Sequence, residues 1–229
     1  MRIHRTALAV TIALATLASQ DALAQTRDVP RIAVMDFNGF MLGESGNSVN
    51  IGKAVSAMLV TEFAVREGLE VLERQQIKAL LAEQRLTLSG RVDESSAVEI
   101  GKLLGVQYVF HGSVTSIVNQ LRIDIRAVDV ETSEIKSVMK NRDLTINLLD
   151  VVVDVADQFG ADLDLPPLSA RPDIEPIPIS ATIAFSRGVD YEDKGEIENA
   201  IEQYEAVLEI HPKHRDALRA LDRVRGGGE

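Results

Sequence analysis

Between residues 30 and 164, the apolar and polar positions follow a pattern typical of strands that alternate with helices. Arg31 to Phe37 is a nearly continuous apolar run with β-branched members, which predicts a buried strand. From Leu121 to Ala127 every second residue is apolar and those between are charged, which predicts a strand with one wet face. Further strands are predicted at 69–72, 106–118 and 135–144, and helices at 50–66, 73–86, 94–104 and 147–163. The order β-α-β-α-α-β-β-β-α predicts an α/β fold in which helices flank one mixed sheet, in two layers or three.

Polar and glycine residues mark where these elements begin and end. The Gly-, Asn- and Ser-rich stretch from Asn38 to Asn47 predicts a loop, after which Ser48 or Asn50 can cap the first helix. Asp93 is the expected N-cap of the helix at 94–104, and Gly105 is expected to end it.

Prolines divide the chain. Five of its seven prolines lie between Pro166 and Pro178. Proline lacks the N–H that helices and central strands require, so we predict an extended linker over residues 165–179. The linker separates an α/β domain at 30–164 from a small all-α unit at 180–225.

The first residues have the features of a secretory signal. Met1 to Arg5 is basic, Thr6 to Ser19 is apolar, and Ala22-Leu23-Ala24 is the small-x-small pattern that signal peptidase recognises. We therefore predict a signal peptide at 1–24, cleaved before Gln25. The apolar run is shorter than the ~20 residues that a transmembrane helix needs, and no later stretch is longer. The expected location is the periplasm, either free or peripheral to the outer membrane.

Composition narrows the function classes. The net charge of -11, from 24 basic and 35 acidic residues, argues against a nucleic-acid partner because phosphate binding needs a basic face. Cysteine is absent, which excludes disulfides, thiolate chemistry and a lipid-bearing cysteine.

Three segments carry a family resemblance: IAVMDF at 32–37, LEVLERQQIKALLAEQRLTLSG at 69–90 and AVEIGKLLGVQYVFHGSVT at 97–115. With them, the region from Ile32 to about Leu163 resembles the curli production assembly/transport family CsgG, which includes HfaB-like members. The resemblance implies a periplasmic α/β domain that can associate with itself. Members of the family form a lipidated ring with a pore in the outer membrane. This sequence departs from that pattern because it lacks the lipidated cysteine and the long channel-forming hairpins.

The C-terminal unit resembles a single tetratricopeptide repeat (TPR). The resemblance rests on the spacing of small, aromatic and proline residues at Gly188, Tyr191, Ala200, Tyr204 and Pro212. It implies two antiparallel helices, with a capping helix at 214–225.

In such a repeat the first helix lines the groove, which implies that a protein or peptide partner contacts Thr182, Phe185, Val189 and Glu192. A single repeat buries little surface alone. We therefore also consider that it docks on the first domain, or on a neighbouring subunit, through the same residues.

No motif predicts catalysis. Asp36 ends the first strand, where α/β proteins form sites, but it lacks a partner in the sequence. His111 is interpreted as structural, and His211 with His214 as a solvated turn rather than a metal site. The acidic pair Glu192-Asp193 is expected to lie on a wet helix face. We expect no cofactor, no metal and no enzymatic activity.

These observations give two hypotheses. The first is a periplasmic, non-enzymatic protein of the CsgG-like class that assists assembly or secretion of cell-envelope or extracellular proteins, of the curli type, by protein–protein interaction. The alternative is a soluble regulator of an envelope enzyme or envelope machine that binds its partner through the TPR.

Overall fold

The structure is a computed structural model that describes residues 29–42, 48–83, 92–117, 120–143, 148–168 and 175–226. The described part contains seven strands: β1 (Arg31–Val34), β2 (Asn38–Leu42), β3 (Ser48–Val49), β4 (Glu70–Leu72), β5 (Tyr108–Ile117), β6 (Gln120–Asp129) and β7 (Ile135–Asp143). It also contains seven helices: α1 (Gly52–Ala64), α2 (Arg74–Glu83), α3 (Glu94–Leu104), α4 (Leu148–Asp162), α5 (Ile179–Asp193), α6 (Ile197–Ile210) and α7 (Arg215–Gly226). The predicted signal peptide at 1–24 lies outside the described residues.

One mixed sheet organises the first part of the chain. β5 lies at its centre. On one side of β5, β1 pairs with residues 108–110 and β2 pairs with residues 113–115, and both strands run parallel to β5. β4 continues the sheet parallel to β1, and β3 pairs antiparallel with β2. On the other side, β6 pairs antiparallel with β5, and β7 pairs antiparallel with β6. The predicted mixed sheet flanked by helices is confirmed.

Helices cover both faces of this sheet, so the α/β part has three layers. α1 and α4 lie on one face, where Phe63, Phe110 and Phe159 form a chain of ring contacts with centroids 4.9 and 5.1 Å apart. α2 and α3 lie on the other face, over a smaller apolar cluster that includes Met35 and Val109. Neighbouring residues of one strand point to opposite faces, so β1 contributes to both clusters.

The ends of α3 are those expected from the sequence. The Asp93 side chain accepts a hydrogen bond from the backbone N–H of Ser96, and the Ser96 hydroxyl bonds back to the Asp93 backbone N–H, which makes a capping box. Gly105 ends the helix in the left-handed conformation, with φ of 64°.

The predicted loop at 38–47 is wrong in part, because residues 38–42 form β2. The strand exists through its pairing with β5, a contact with residues far along the chain, and local composition does not reveal such a contact. Gly39 makes the pairing possible, since a Cβ at this position would lie 2.0 Å from the Val114 carbonyl oxygen. The predicted cap by Ser48 is also wrong, because Ser48 belongs to β3. The Asn50 side chain does accept a hydrogen bond, at 3.1 Å, from the Gly52 N–H at the start of α1.

The C-terminal helices pack on the outside of α1. Phe185, Ala200 and Leu221 belong to the same buried cluster as α1 and α4. The two ends of the proline-rich segment are held as well, because Leu165 and Ile177 are buried in that cluster. Within the described residues, no helix has the combination of length and apolar character needed to cross a membrane.

Candidate functional site

Charged side chains from both halves of the chain meet at the carboxyl end of β1. Asp36 follows this strand by two residues, and Arg74 opens α2 directly after the neighbouring strand β4. Because β1 and β4 are parallel, their carboxyl ends lie at the same edge of the sheet. The sequence order strand, turn, helix therefore brings the carboxylate and the guanidinium together.

Arg74 is the centre of this group. Its Nε and Nη2 donate to the two carboxylate oxygens of Asp36, each at 2.6 Å, in the bidentate geometry that suits a guanidinium. Its Nη1 and Nη2 also donate to the carboxylate of Asp193 in α5, at 2.7 and 2.5 Å. One arginine thus joins the sheet edge to the C-terminal helices.

Two lysines extend the contact. The Lys53 ammonium, in the first turn of α1, donates to Asp193 at 2.7 Å and also to Asp190. The Lys78 ammonium, one turn after Arg74 in α2, donates to Asp193. We call these six residues the edge cluster: the cations Lys53, Arg74 and Lys78 belong to the α/β part, and the carboxylates are those of Asp36, Asp190 and Asp193.

The environment stabilises the ionised forms of Asp193, Lys53 and Arg74. Burial alone would raise the pKa of Asp193, but the hydrogen bonds and positive charge of Arg74 and the two lysines hold this pKa well below its usual range. Burial alone would lower the pKa of Lys53, yet its bonds to Asp190 and Asp193 outweigh that effect and raise it. For Lys78 the balance is reversed: burial, with help from the nearby Arg74 charge, lowers its pKa.

The edge cluster is suited to holding helices together rather than to proton transfer. Asp193, with its depressed pKa, is a poor base at neutral pH, and Lys53, with its raised pKa, is a poor nucleophile. Each of the six charged groups already bonds to a group of opposite charge. A cleft of about 470 Å³ beside the cluster has apolar walls formed by Val34, Ile77 and Leu81. The charged residues that line this cleft are members of the cluster.

A second polar contact joins α7 to the last turn of α1. Arg215 donates to the buried carboxylate of Glu62 at 2.5 Å, and the Thr61 hydroxyl donates to Asp216. Burial raises the pKa of Asp216 to about 6. Burial also lowers the pKa of the neighbouring His214 to about 4, so this imidazole is neutral at pH 7.

The residues predicted to line a partner groove lie inside the molecule. Thr182, Phe185 and Val189 are at most 4% exposed, and Phe185 and Val189 face α1. The Glu192 carboxylate accepts hydrogen bonds from Gln75, Tyr204 and Arg223. In this arrangement an external partner does not reach these side chains. Their position instead matches the other possibility considered from the sequence, in which the C-terminal unit docks on the first domain. Partner binding through them stays a prediction.

The spacing residues of the C-terminal unit lie between its helices. Gly188 in α5 faces the ring of the fully buried Tyr204 in α6, and Ala200 is buried beside them. Tyr191 is partly buried with the Lys194 ammonium 5.6 Å above its ring, and Pro212 lies in the turn between α6 and α7. The helices are present, while their assignment to the TPR class stays a prediction.

Three histidines, His111, His211 and His214, lie among the described residues. His214 stacks on Phe185 with ring centroids 5.2 Å apart, and His211 lies edge-on to His214 at 6.0 Å. His111 is buried in β5, and burial together with the nearby Arg126 charge lowers its pKa. In the part of the chain that the structure describes, no three His, Cys, Asp or Glu side chains are grouped as metal ligands. The prediction that His211 and His214 are solvated is wrong, because both imidazoles are buried, that of His214 against the ring of Phe185.

Sequence reasoning identifies only Asp36 of the edge cluster. Its expectation that Glu192 and Asp193 lie on a wet helix face is wrong, because both carboxylates bond to the α/β part. The acidic spacing of Asp190 and Asp193, one helical turn apart, was the available signal. Nothing in the sequence indicates which cations it faces.

Three solved structures are similar to parts of this chain. The C-terminal domain of LpoB from Salmonella enterica is 19% identical, with a TM-score of 0.42 over 57% of this chain and 92% of that one. TolB from Acinetobacter baumannii is 12% identical, with a TM-score of 0.41 over 61% and 29% of the two chains. Lipoprotein GNA1162 from Neisseria meningitidis is 12% identical, with a TM-score of 0.39 over 58% and 96%. No curated protein matches the chain.

The sequence matches one family model. Residues 13–122 match the model of CsgG, the curli production assembly/transport component. The match covers β1 to β5 and reaches the start of β6, so it includes the three segments that carried the resemblance. The extension of that resemblance to residue 163 stays a prediction. The chain therefore contains a CsgG-like domain within residues 13–122.

Proposed function

We propose that this protein is a non-enzymatic, periplasmic protein of the CsgG-like class that assists assembly or secretion of cell-envelope or extracellular proteins, of the curli type. It acts by protein–protein contact. The match to the CsgG model supports the class, and the predicted signal peptide supports export. In this proposal α5 and α6 are the TPR hairpin and α7 is its cap.

The edge cluster is the observation that carries the proposal. In α/β proteins the carboxyl ends of parallel strands are the usual place for a ligand or a catalytic group. Here that place holds Asp190 and Asp193 from the chain's own α5, bonded to Lys53 and Arg74. Because the ion pairs of the edge cluster fill the place where a ligand or a catalytic group would lie, we assign the function to the outer surface of the molecule.

The proposed contact surface is the outer side of β7. Among the described residues, β7 pairs only with β6, so its second row of backbone N–H and C=O groups faces outward. Exposed sheet edges are places where an extended segment of another chain can add a strand. Met139 is 55% exposed and Ile135 lies on the same side of this strand, so the edge also offers apolar contact.

One observation favours the alternative, a regulator of an envelope enzyme or envelope machine. β5 and β6 pair as far as Ile117 opposite Gln120, so only two residues connect them. β6 and β7 are likewise joined by a short turn at 130–134. These short connections leave no room for the channel-forming hairpins that the resemblance implies for transporting members of the family.

Site-specific photo-crosslinking in the periplasm of the source bacterium tests the proposal. A photoreactive amino acid replaces Met139 in one strain and the exposed Glu202 of α6 in a control strain. We expect one defined protein to be crosslinked from position 139 and not from position 202. We also expect Met139→Arg to reduce this crosslink and to impair the assembly or secretion that the protein assists. A secreted subunit or a secretion component as the product supports the first function, and a cell-wall enzyme supports the alternative. Absence of any specific product from position 139, or catalytic turnover that Asp36→Asn abolishes, would overturn the proposal.

A further inference from the structure

The interface between the C-terminal helices and α1 has an uneven distribution of charge. At one end, the α/β part supplies the cations Lys53, Arg74 and Lys78, and α5 supplies Asp190 and Asp193. The ion pair of Glu62 with Arg215 lies at the other end. Between these two ends, Phe185 and Val189 of α5 face small side chains of α1 across a narrow cleft of about 60 Å³, namely Ser56, Ala57 and Val60. The α1 surface thus presents small side chains with a cationic end.

Several polar groups in this region lack the partners that a permanent core normally provides. The Thr182 hydroxyl and Nε2 of His214 are buried without a hydrogen bond. Each such group costs free energy while the helices are docked and recovers water when they separate. The Asp216 carboxylate, whose pKa burial raises to about 6, acts in the same direction at neutral pH. Polar interfaces between parts of one chain resemble those of reversible complexes.

We propose that the outer face of α1, with Lys53, Arg74 and Lys78 at its end, is a binding surface for an acidic amphipathic helix of a partner protein, and that α5 is its internal occupant. The inference rests on the proposed function, since it names the kind of partner that a protein-binding role requires. It concerns a surface different from β7.

The chemistry of the partner segment is given by α5 itself. Phe185 and Val189 lie one helical turn apart and provide the apolar contact. Asp190 and Asp193 follow, also one turn apart, and their carboxylates meet the cations. A partner helix with two apolar residues spaced in this way and two carboxylates after them would reproduce the same contacts. The partner helix would displace α5 when the contacts of the partner outweigh the advantage that α5 has from being covalently linked to the surface it covers.

Fluorescence anisotropy of a labelled synthetic peptide tests this inference. The peptide comprises residues 179–194, and a second peptide carries asparagine at the positions of Asp190 and Asp193. Each is titrated with three full-length proteins: the unchanged chain, the Asp190→Asn/Asp193→Asn variant, and a control, Glu198→Gln/Glu202→Gln. The control removes the same number of charges from the exposed face of α6.

We expect the acidic peptide to bind the Asp190→Asn/Asp193→Asn variant at least tenfold more tightly than it binds the unchanged chain or the control. In that variant, the internal helix no longer neutralises the three cations. The asparagine peptide should bind all three proteins weakly, and a further Lys53→Gln/Lys78→Gln change should remove the difference between the peptides. Equal binding of both peptides, or binding unaffected by the lysine changes, would overturn the inference.

Hydrogen exchange on the unchanged chain is a second test that needs no variant. Reversible release predicts that amides of α5–α7 exchange at least tenfold faster than those of β5 and α4, and that adding the acidic peptide accelerates this exchange. Exchange of all these elements at one common rate contradicts the inference. Because both experiments use a peptide and neither uses the crosslink from Met139, failure of this inference is distinguishable from failure of the proposed function.

Discussion

Replacing Gly188 by alanine sets helix propensity against packing. Gly188 lies inside α5, where alanine is favoured over glycine by ~1 kcal/mol in a helix that makes no other contact. In this structure, however, a Cβ at position 188 would lie 2.4 Å from Cε1 and 2.6 Å from Cδ1 of the Tyr204 ring. Favourable contacts between carbon atoms are about 3.5–4.0 Å long, so the ring would have to move by more than 1 Å.

The surroundings of Tyr204 restrict that movement. The ring is fully buried, and its hydroxyl donates to Glu192 at 2.7 Å, which is held in turn by Arg223 at 2.9 Å. Inserting a methyl group into a packed core costs roughly 1–3 kcal/mol. Subtracting the gain of ~1 kcal/mol in propensity leaves a net loss of up to about 2 kcal/mol. For a chain of this size a loss of that size corresponds to a Tm lower by up to roughly 8 °C.

Thermal and urea unfolding monitored by circular dichroism measure this effect. Gly226→Ala is the matched control, because it adds the same methyl group to a helix with nothing within 4 Å. The control should leave stability unchanged or slightly improved. In a Tyr204→Leu background the ring is gone, and Gly188→Ala should then stabilise the protein relative to that background. If Gly188→Ala raises the Tm of the otherwise unchanged chain, the close contact between α5 and α6 is not as described.

Three further changes probe the docking contacts and the sheet. Asp193→Asn should lower the free energy of unfolding by about 2 kcal/mol at pH 7, because the ionised carboxylate bonds to Arg74 and two lysines. The pKa of Asp193 is depressed in the folded state, so the difference in stability between this variant and the unchanged chain should become smaller as the pH is lowered below about 4. Asp216→Asn should instead raise the free energy of unfolding. Because the pKa of Asp216 is raised to about 6 in the folded state, its charge is unfavourable there at pH 7.5. Removing the charge should therefore stabilise the protein by ~1–2 kcal/mol at pH 7.5 and by less at pH 5. Gly39→Ala should destabilise by at least ~2 kcal/mol in urea unfolding, because its methyl group would meet the Val114 backbone, and a neutral result would contradict the β2–β5 pairing.

The α/β order could be predicted because its signals are local. The alternation along β6, the apolar run of β1 and the capping residues around α3 each depend on a few adjacent residues. These signals identified the type and order of the longer elements. They did not reveal β2, whose sequence is rich in loop residues and whose strand form depends on pairing with β5 more than 70 positions away. They also left open whether helices cover one face of the sheet or both.

The candidate site was less predictable, for a related reason. The sequence indicated that Asp36 ends a strand and that α5 carries acidic residues, but ion pairing depends on which surfaces meet. Asp193 and Arg74 are separated by 119 positions, and only the docking of α5 on the sheet edge brings them to 2.7 Å. The same docking buries Phe185 and Val189, which the spacing alone would also allow on an open groove.

The sequence by itself thus determined the strands and helices with strong periodicity and the resemblance to CsgG, which the family model matches over residues 13–122. Each of these is written in short-range patterns of side-chain type. The tertiary structure decided how the two parts of the chain are arranged. The C-terminal helices cover α1, three cations and three carboxylates close the carboxyl edge of the sheet, and among the described strands β7 pairs only with β6. These features depend on the burial of apolar surface and the pairing of charges between distant segments, and such contacts exist only once the chain has folded.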